Sequence, residues 1–153
     1  MKTIPIFLLT LLISFSTTAE DLLIENYTSK QIVKRAYQTF ASGDTDAWAE
    51  LHTKDLKFSI FGQLPHSGVH IGTDATIKNV FEVLPLHWPN FKLKIVHMDA
   101  IEGELGSTVY VLNKMTADGL DSYALHMFTL KNSKIATFSA FDDYDSMRQA
   151  MIK

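Results

Sequence analysis

The chain is 153 residues long, with 46% hydrophobic and 20% charged residues, which excludes wholesale disorder and fits one domain. A formal net charge of −3 without a basic cluster argues against nucleic acid or an anionic membrane as partner. The absence of cysteine excludes disulfide frameworks, thiolate zinc sites and cysteine nucleophiles together.

The N-terminus has the three parts of a secretory leader. Met1-Lys2 gives a basic start, Ile4 to Phe15 (IPIFLLTLLISF) an apolar run, and Thr17 and Ala19 the small residues before a cleavage point. That run is too short to cross a ~30 Å hydrocarbon core comfortably. Cleavage after Ala19 predicts a signal peptide at 1–19 and a single mature domain at 20–153, periplasmic or secreted and free of the membrane.

From Ser29, the residues Ile32, Val33, Ala36, Tyr37, Phe40 and Ala41 recur at helical spacing. Gly43 ends this helix, and Asp44 caps a second one carrying Ala47, Trp48 and Leu51. Lys57 to Phe61 alternates as a strand does, and a loop with Pro65 and Gly68 leads to a short strand, Val69–Ile71. Gly72-Thr73 opens a third helix with Ile77, Val80, Phe81 and Leu84 on one face, stopped by Pro85. Four β-like stretches follow, Phe91–Met98, Thr108–Met115, Ser122–Leu130 and Ile135–Asp142, separated by turn-rich segments. Helices followed by an antiparallel meander predict an α+β domain.

The stretch IVKRAYQTFASGDTDAWAELHTKDLKF resembles the opening helices of the nuclear transport factor 2-like (NTF2-like) superfamily, in its SnoaL-like and ketosteroid-isomerase-like branches. Gly72-Thr73, Trp88-Pro89-Asn90-Phe91, Phe141-Asp142-Asp143 and Gln149 extend the resemblance over nearly the whole mature chain. It implies a cone, a strongly curved and mostly antiparallel sheet wrapped around the N-terminal helices, enclosing a largely apolar pocket. The fold hosts isomerases, cyclases, hydrolases and non-catalytic binding modules, so it does not fix the function.

Aligned on Gly43-Asp44, the oxyanion tyrosine of the ketosteroid isomerases falls at Ala36 and their carboxylate base at Ile60. Neither residue moves a proton, which argues against that chemistry. Tyr37 is adjacent but about 100° around the helix axis. The position of the family's second acid falls at His126, a group able to exchange a proton near neutral pH. Both alternating sets around His126 are apolar, so its strand is expected to be buried on both faces, and a satisfied core histidine is the competing reading.

SnoaL-like cyclases place an acid/base aspartate near Asp142 and Asp143, before a closing helix. Which of the two faces the pocket depends on register. A three-residue turn, Asn132 to Lys134, puts Phe138, Ala140 and Asp142 on the His126 face; a two-residue turn puts Thr137, Ser139 and Phe141 there. The first set is more apolar and is preferred, which pairs His126 with Asp142 as the catalytic candidates. Either aspartate could instead cap the helix, with Asp145 as a competitor.

Asn113 shares its face with Val109, Val111 and Met115, and a buried amide must bond a neighbour or read a ligand. Asn113, Phe40, Phe58, Ile60, Phe81, Val111, Phe128 and Phe138 are the ligand-binding candidates. His66 and His70 lack a third ligand nearby, so neither a metal nor a cofactor is expected. His52 ends the second helix, where a cation suits the dipole, and His87 and Trp88 are candidates for the pocket mouth. Leu125 and Met127 point away from the pocket and predict a homodimer. Together these residues predict an exported protein with a pocket for a small apolar molecule, either an acid–base enzyme or a non-catalytic binding or dimerisation module.

Overall fold

The computed structural model describes residues 27–104 and 106–153. The expected leader therefore lies outside the described residues. No helix among them is long and apolar enough to cross a membrane.

Helix α1 (Ser29–Ser42) starts in a capping box: Thr28 Oγ1 accepts from the Gln31 amide, and the Gln31 side chain accepts from the Thr28 amide. It ends at Gly43, whose φ of 72° is the left-handed cap that glycine adopts without strain. Asp44 caps α2 (Thr45–Glu50) through the Ala47 amide at 3.1 Å. Strand β1 (His52–Ile60) follows at once, five residues earlier than its alternation suggests, and pairs with β2 (Gly68–Ile71).

The expected third helix is broken into α3 (Thr73–Thr76), a π-helical turn (Ile77–Phe81) and α4 (Leu84–His87). Pro85 does not stop this run. It sits in the first turn of α4, where its missing N–H breaks no helical bond. The long strands are β3 (Lys92–Gly103), β4 (Gly106–Ala117), β5 (Leu120–Lys131) and β6 (Lys134–Asp142), and α5 (Tyr144–Ala150) closes the chain.

The six strands run in the order β2-β1-β6-β5-β4-β3. Every neighbouring pair is antiparallel except β1–β6. An α+β fold with a mostly antiparallel sheet is thus present, but the closed, strongly curled cone is not. The sheet is open, with β2 and β3 as its edges. Strong curl is built from bulges and glycine kinks. Among the long strands the bulges lie between Ile95 and His97 and at Ala136, the β4–β5 pairing between them runs without interruption, and the glycines lie only at the ends of β3 and β4.

The β5–β6 hairpin decides the site. Its turn has two central residues, Asn132 and Ser133, with φ of 48° and 57°, the primed turn that suits right-twisted strands. That alone would send Asp142 to the outer face. A bulge corrects it: Leu130 pairs with Ile135 but Thr129 with Thr137, so Ala136 is an extra residue in β6. Beyond the bulge His126 faces Ala140 and Phe128 faces Phe138. The expected face is reached by a different device from the expected three-residue turn.

The core lies between the sheet's inner face and the helices. Ile32, Val33 and Ala36 of α1 are buried with Val109, Val111 and Met115 of β4 and Ala124 and Phe128 of β5. The expectation that β5 is buried on both faces does not hold, because Tyr123 and Leu125 are 52% and 44% exposed on the outer side.

Candidate functional site

A cavity of about 70 Å³ opens between the inner face and the helices. One end is aromatic. Phe58 stacks on Phe138 with centroids 4.0 Å apart, and Phe81 meets Phe40 and Trp48 edge-on at 4.8 and 4.7 Å. Phe40, Phe58, Ile60, Phe81, Phe128 and Phe138 all line the cavity. Val111 does not: it is fully buried in the core behind the wall.

The other end is polar and continuous. The Asn113 amide nitrogen donates to the Tyr37 hydroxyl at 2.8 Å, and the hydroxyl meets His126 Nδ1 at 2.7 Å. His126 Nε2 lies 3.3 Å from Asp142 Oδ1, with both side chains almost wholly buried. Burial pushes the Tyr37 phenol well above its usual range, so the hydroxyl keeps its proton. A protonated Tyr37 can donate to Nδ1, and in the tautomer that accepts this bond the Nε2 proton is directed at the carboxylate. Among the described residues no lysine or arginine lines the cavity, and the carboxylate is held by a histidine that is itself held by a phenol.

Asn113 therefore reaches the site only through Tyr37. Its own carbonyl oxygen is buried without a partner among the described residues. Tyr37 is the residue that sequence reasoning missed. The helical offset from Ala36 suggested too large a rotation, but Tyr37 is four residues from the buried Val33 and shares its stripe. Ala36 has no side chain beyond Cβ, which leaves room for the longer ring beside it. A half-buried tyrosine on the inner stripe needs a partner for its hydroxyl, and that was the available signal.

Asp143, the neighbour that the register argument had to separate from Asp142, caps α5. It accepts from the Ser146 amide at 3.2 Å and from Ser122 Oγ at 2.6 Å, bonds that hold its carboxyl below the usual range. Asp145 is not the cap.

The remaining histidines depart from expectation. His52 is not a helix-end cation: its Nδ1 bonds the Trp48 carbonyl at 2.6 Å, and burial lowers its pKa to about 4 despite that bond. Trp88 is fully buried with its indole N–H on the Met147 carbonyl, and His87 bonds the Ile152 carbonyl, so neither forms the pocket mouth. His66, in the β1–β2 loop, lines the cavity, whereas His70 turns back to the His66 carbonyl at 3.1 Å. Among the described residues no group of three histidine, aspartate or glutamate side chains could hold a metal.

The SnoaL-like domain model matches residues 33–138, more than two thirds of the chain. The chain belongs to the SnoaL-like family. No curated protein matches it. Among solved structures, an NTF2-like protein of unknown function from Burkholderia pseudomallei is similar, at 18% identity and a TM-score of 0.68, over 81% of this chain and 97% of that one. TerC co-crystallised with polyporic acid is similar at 16% identity and a TM-score of 0.66, over 79% and 95%. A putative polyketide cyclase from Sinorhizobium meliloti follows at 17% and 0.55, over 74% and 99%. At these identities the likeness to solved structures speaks for the fold alone. The SnoaL-like match ends before Asp142, so the place of that carboxylate in the site rests on the geometry of this chain.

Proposed function

We propose that this SnoaL-like protein binds a small, largely apolar molecule and moves a proton on it, with Asp142 as acid/base and His126 and Tyr37 as the groups that orient it by hydrogen bonds. The observation that carries this reading is the hydrogen-bonded chain from Tyr37 through His126 to Asp142, in the wall of a cavity lined with aromatic rings. A carboxylate at an apolar wall suits abstraction of a proton next to a carbonyl: the C–H pair moves onto the carbonyl oxygen, and the proton goes to Asp142. Return of that proton to the same or another carbon completes an exchange or an isomerisation. TerC, co-crystallised with a small molecule, and the putative polyketide cyclase support a ligand of this kind.

A binding protein without turnover is the second reading. It is favoured by one feature: both ring nitrogens of His126 already have partners within the protein. The two readings part on Asp142→Asn. With 2-indanone as a carbonyl probe, α-proton exchange in heavy water should fall at least a hundredfold in the variant, the scale of a lost acid–base group, while affinity and melting temperature hold. Wild-type exchange at the solvent rate with binding intact would leave the binding module.

We further propose that the protein works outside the cytoplasm after cleavage behind Ala19, and that two copies pair through the outer sheet face around Leu125 and Met127. Intact mass of the exported protein tests the first. A mature chain that still begins at Met1 removes it.

A further inference from the structure

His52 and His66 are the polar cavity residues that the proton chain leaves unused, and His52 is tied to the Trp48 carbonyl. His66 is 2% exposed and lines the same cavity as Asp142; its Nδ1 is sealed without a hydrogen-bond partner among the described residues, which leaves Nε2 as the nitrogen for a ligand. The ring is held firmly. It stands edge-on to the fully buried Trp88 at 5.0 Å, and Trp88 is itself fixed by its bond to the Met147 carbonyl. The loop beneath is equally built: Ser67 Oγ accepts from the Leu64 amide, the Ser67 amide bonds the Leu64 carbonyl, and His70 secures the His66 carbonyl. A rigid, dry imidazole without its own partner is unusual, since buried polar groups are almost always paired.

Asp142 is near enough for its charge to pull the proton affinity of His66 upward, yet burial dominates and lowers its pKa to about 4. The ring is therefore neutral at ordinary pH and carries one N–H. His70 and His87 also act on it, both against protonation. A neutral imidazole can donate to an oxygen that gains charge without giving up its proton to it.

We propose that His66 supplies the donor for the ligand's carbonyl oxygen, opposite Asp142, so that the preferred ligands are small cyclic ketones with an acidic C–H beside the carbonyl. This rests on the reading of Asp142 as proton acceptor. As the C–H bond breaks, the proton passes to Asp142, the electron pair passes to the carbonyl oxygen, and the His66 N–H holds the resulting oxyanion. No oxidant or co-reactant is required.

The probes are 2-indanone and indane, alike in shape and different in the carbonyl. Wild type should bind 2-indanone at least tenfold more tightly than indane, and His66→Phe should erase that preference and slow α-proton exchange ten- to a hundredfold. His66→Gln, which keeps a donor, should recover part of both. Asp142→Asn should stop exchange but keep the preference, so a failure of the acid/base reading and a failure of the His66 proposal look different. The ¹⁵N shifts of the wild-type His66 ring on adding 2-indanone give a readout independent of any variant's folding. Equal wild-type affinity for the two probes, ring shifts that do not move, or a folded His66→Phe that keeps the preference would each overturn the proposal.

Discussion

The two faces of the β5–β6 hairpin are built from alternate residues of the same strands, yet they follow opposite rules. On the inner face, His126 and Asp142 are polar and buried among Phe128, Phe138 and Ala140. On the outer face, Tyr123, Leu125 and Phe141 are apolar and lie 52%, 44% and 49% exposed. Each face carries some residues that an isolated domain would place on the other. Polar groups are kept inside only because each has a partner, at a cost in desolvation that packing does not require. Apolar groups outside are the mark of a surface made to be covered. The inner face suits the ligand chemistry proposed above, and the outer one the proposed pairing of two copies.

Phe138→Asp is the strongest way to break this contrast, because it puts an unpaired charge where Phe138 stacks on Phe58. We expect a loss of more than about 4 kcal/mol in urea unfolding and no residual exchange of 2-indanone. Deleting Ala136 should do far less, because removing the extra residue leaves Thr129 opposite Thr137 and His126 opposite Ala140. A deletion variant that loses the His126–Asp142 contact, read from the ring ¹⁵N shifts, would show that the bulge does more than carry one extra residue.

Acid should attack the cavity wall before it affects the outer face. The unfolded chain takes up a proton at His52 and His66 near pH 6.5, but the folded chain only near pH 4. The unfolded state therefore binds more protons between these values, and stability falls as pH drops through that window. The loss amounts to roughly 3 kcal/mol per histidine once pH 4 is passed. Urea midpoints measured from pH 7 to 4 check the slope, and His66→Phe should remove its share of it.

Tyr37→Phe sharpens the account of the inner face. It strips His126 Nδ1 of its donor and Asn113 of its acceptor while leaving the ring in place against Phe128. Stability should fall by about 1–3 kcal/mol, the cost of buried groups left unpaired. A smaller change would mean that water takes over the lost bonds.

The smallest effect on the fold is expected outside. The pair Leu125→Lys with Phe141→Lys should change unfolding by less than about 0.5 kcal/mol, yet shift light scattering from the dimer to the monomer mass. A wild type that already scatters as a monomer at micromolar concentration would remove the outer half of the comparison.

Much of this was legible in the chain. The glycine after Ser42 and the alternation of β4 are local signals, and the structure follows them. The opposition of His126 and Ala140 was also legible, because the hydrophobic pattern of β6 is itself a register signal. The turn chemistry pointed the other way, and the bulge that reconciles the two leaves no composition signature at Ala136. Asp143 could not be told from Asp142 by type, since both suit a helix start; only the face of β6 separated them.

The sequence by itself determined the α+β class, the first two helices and the four long strands, because caps, turns and periodicity act within a few residues. Only the tertiary structure decided that Tyr37 joins His126, that His66 enters the cavity and that His52 is neutral. Those outcomes depend on residues 89, 76 and 59 positions apart, as between Tyr37 and His126, Tyr37 and Asn113, and Trp88 and Met147. No local pattern encodes such distances: the open sheet and the packed helices create them, and burial then sets the protonation of what they enclose.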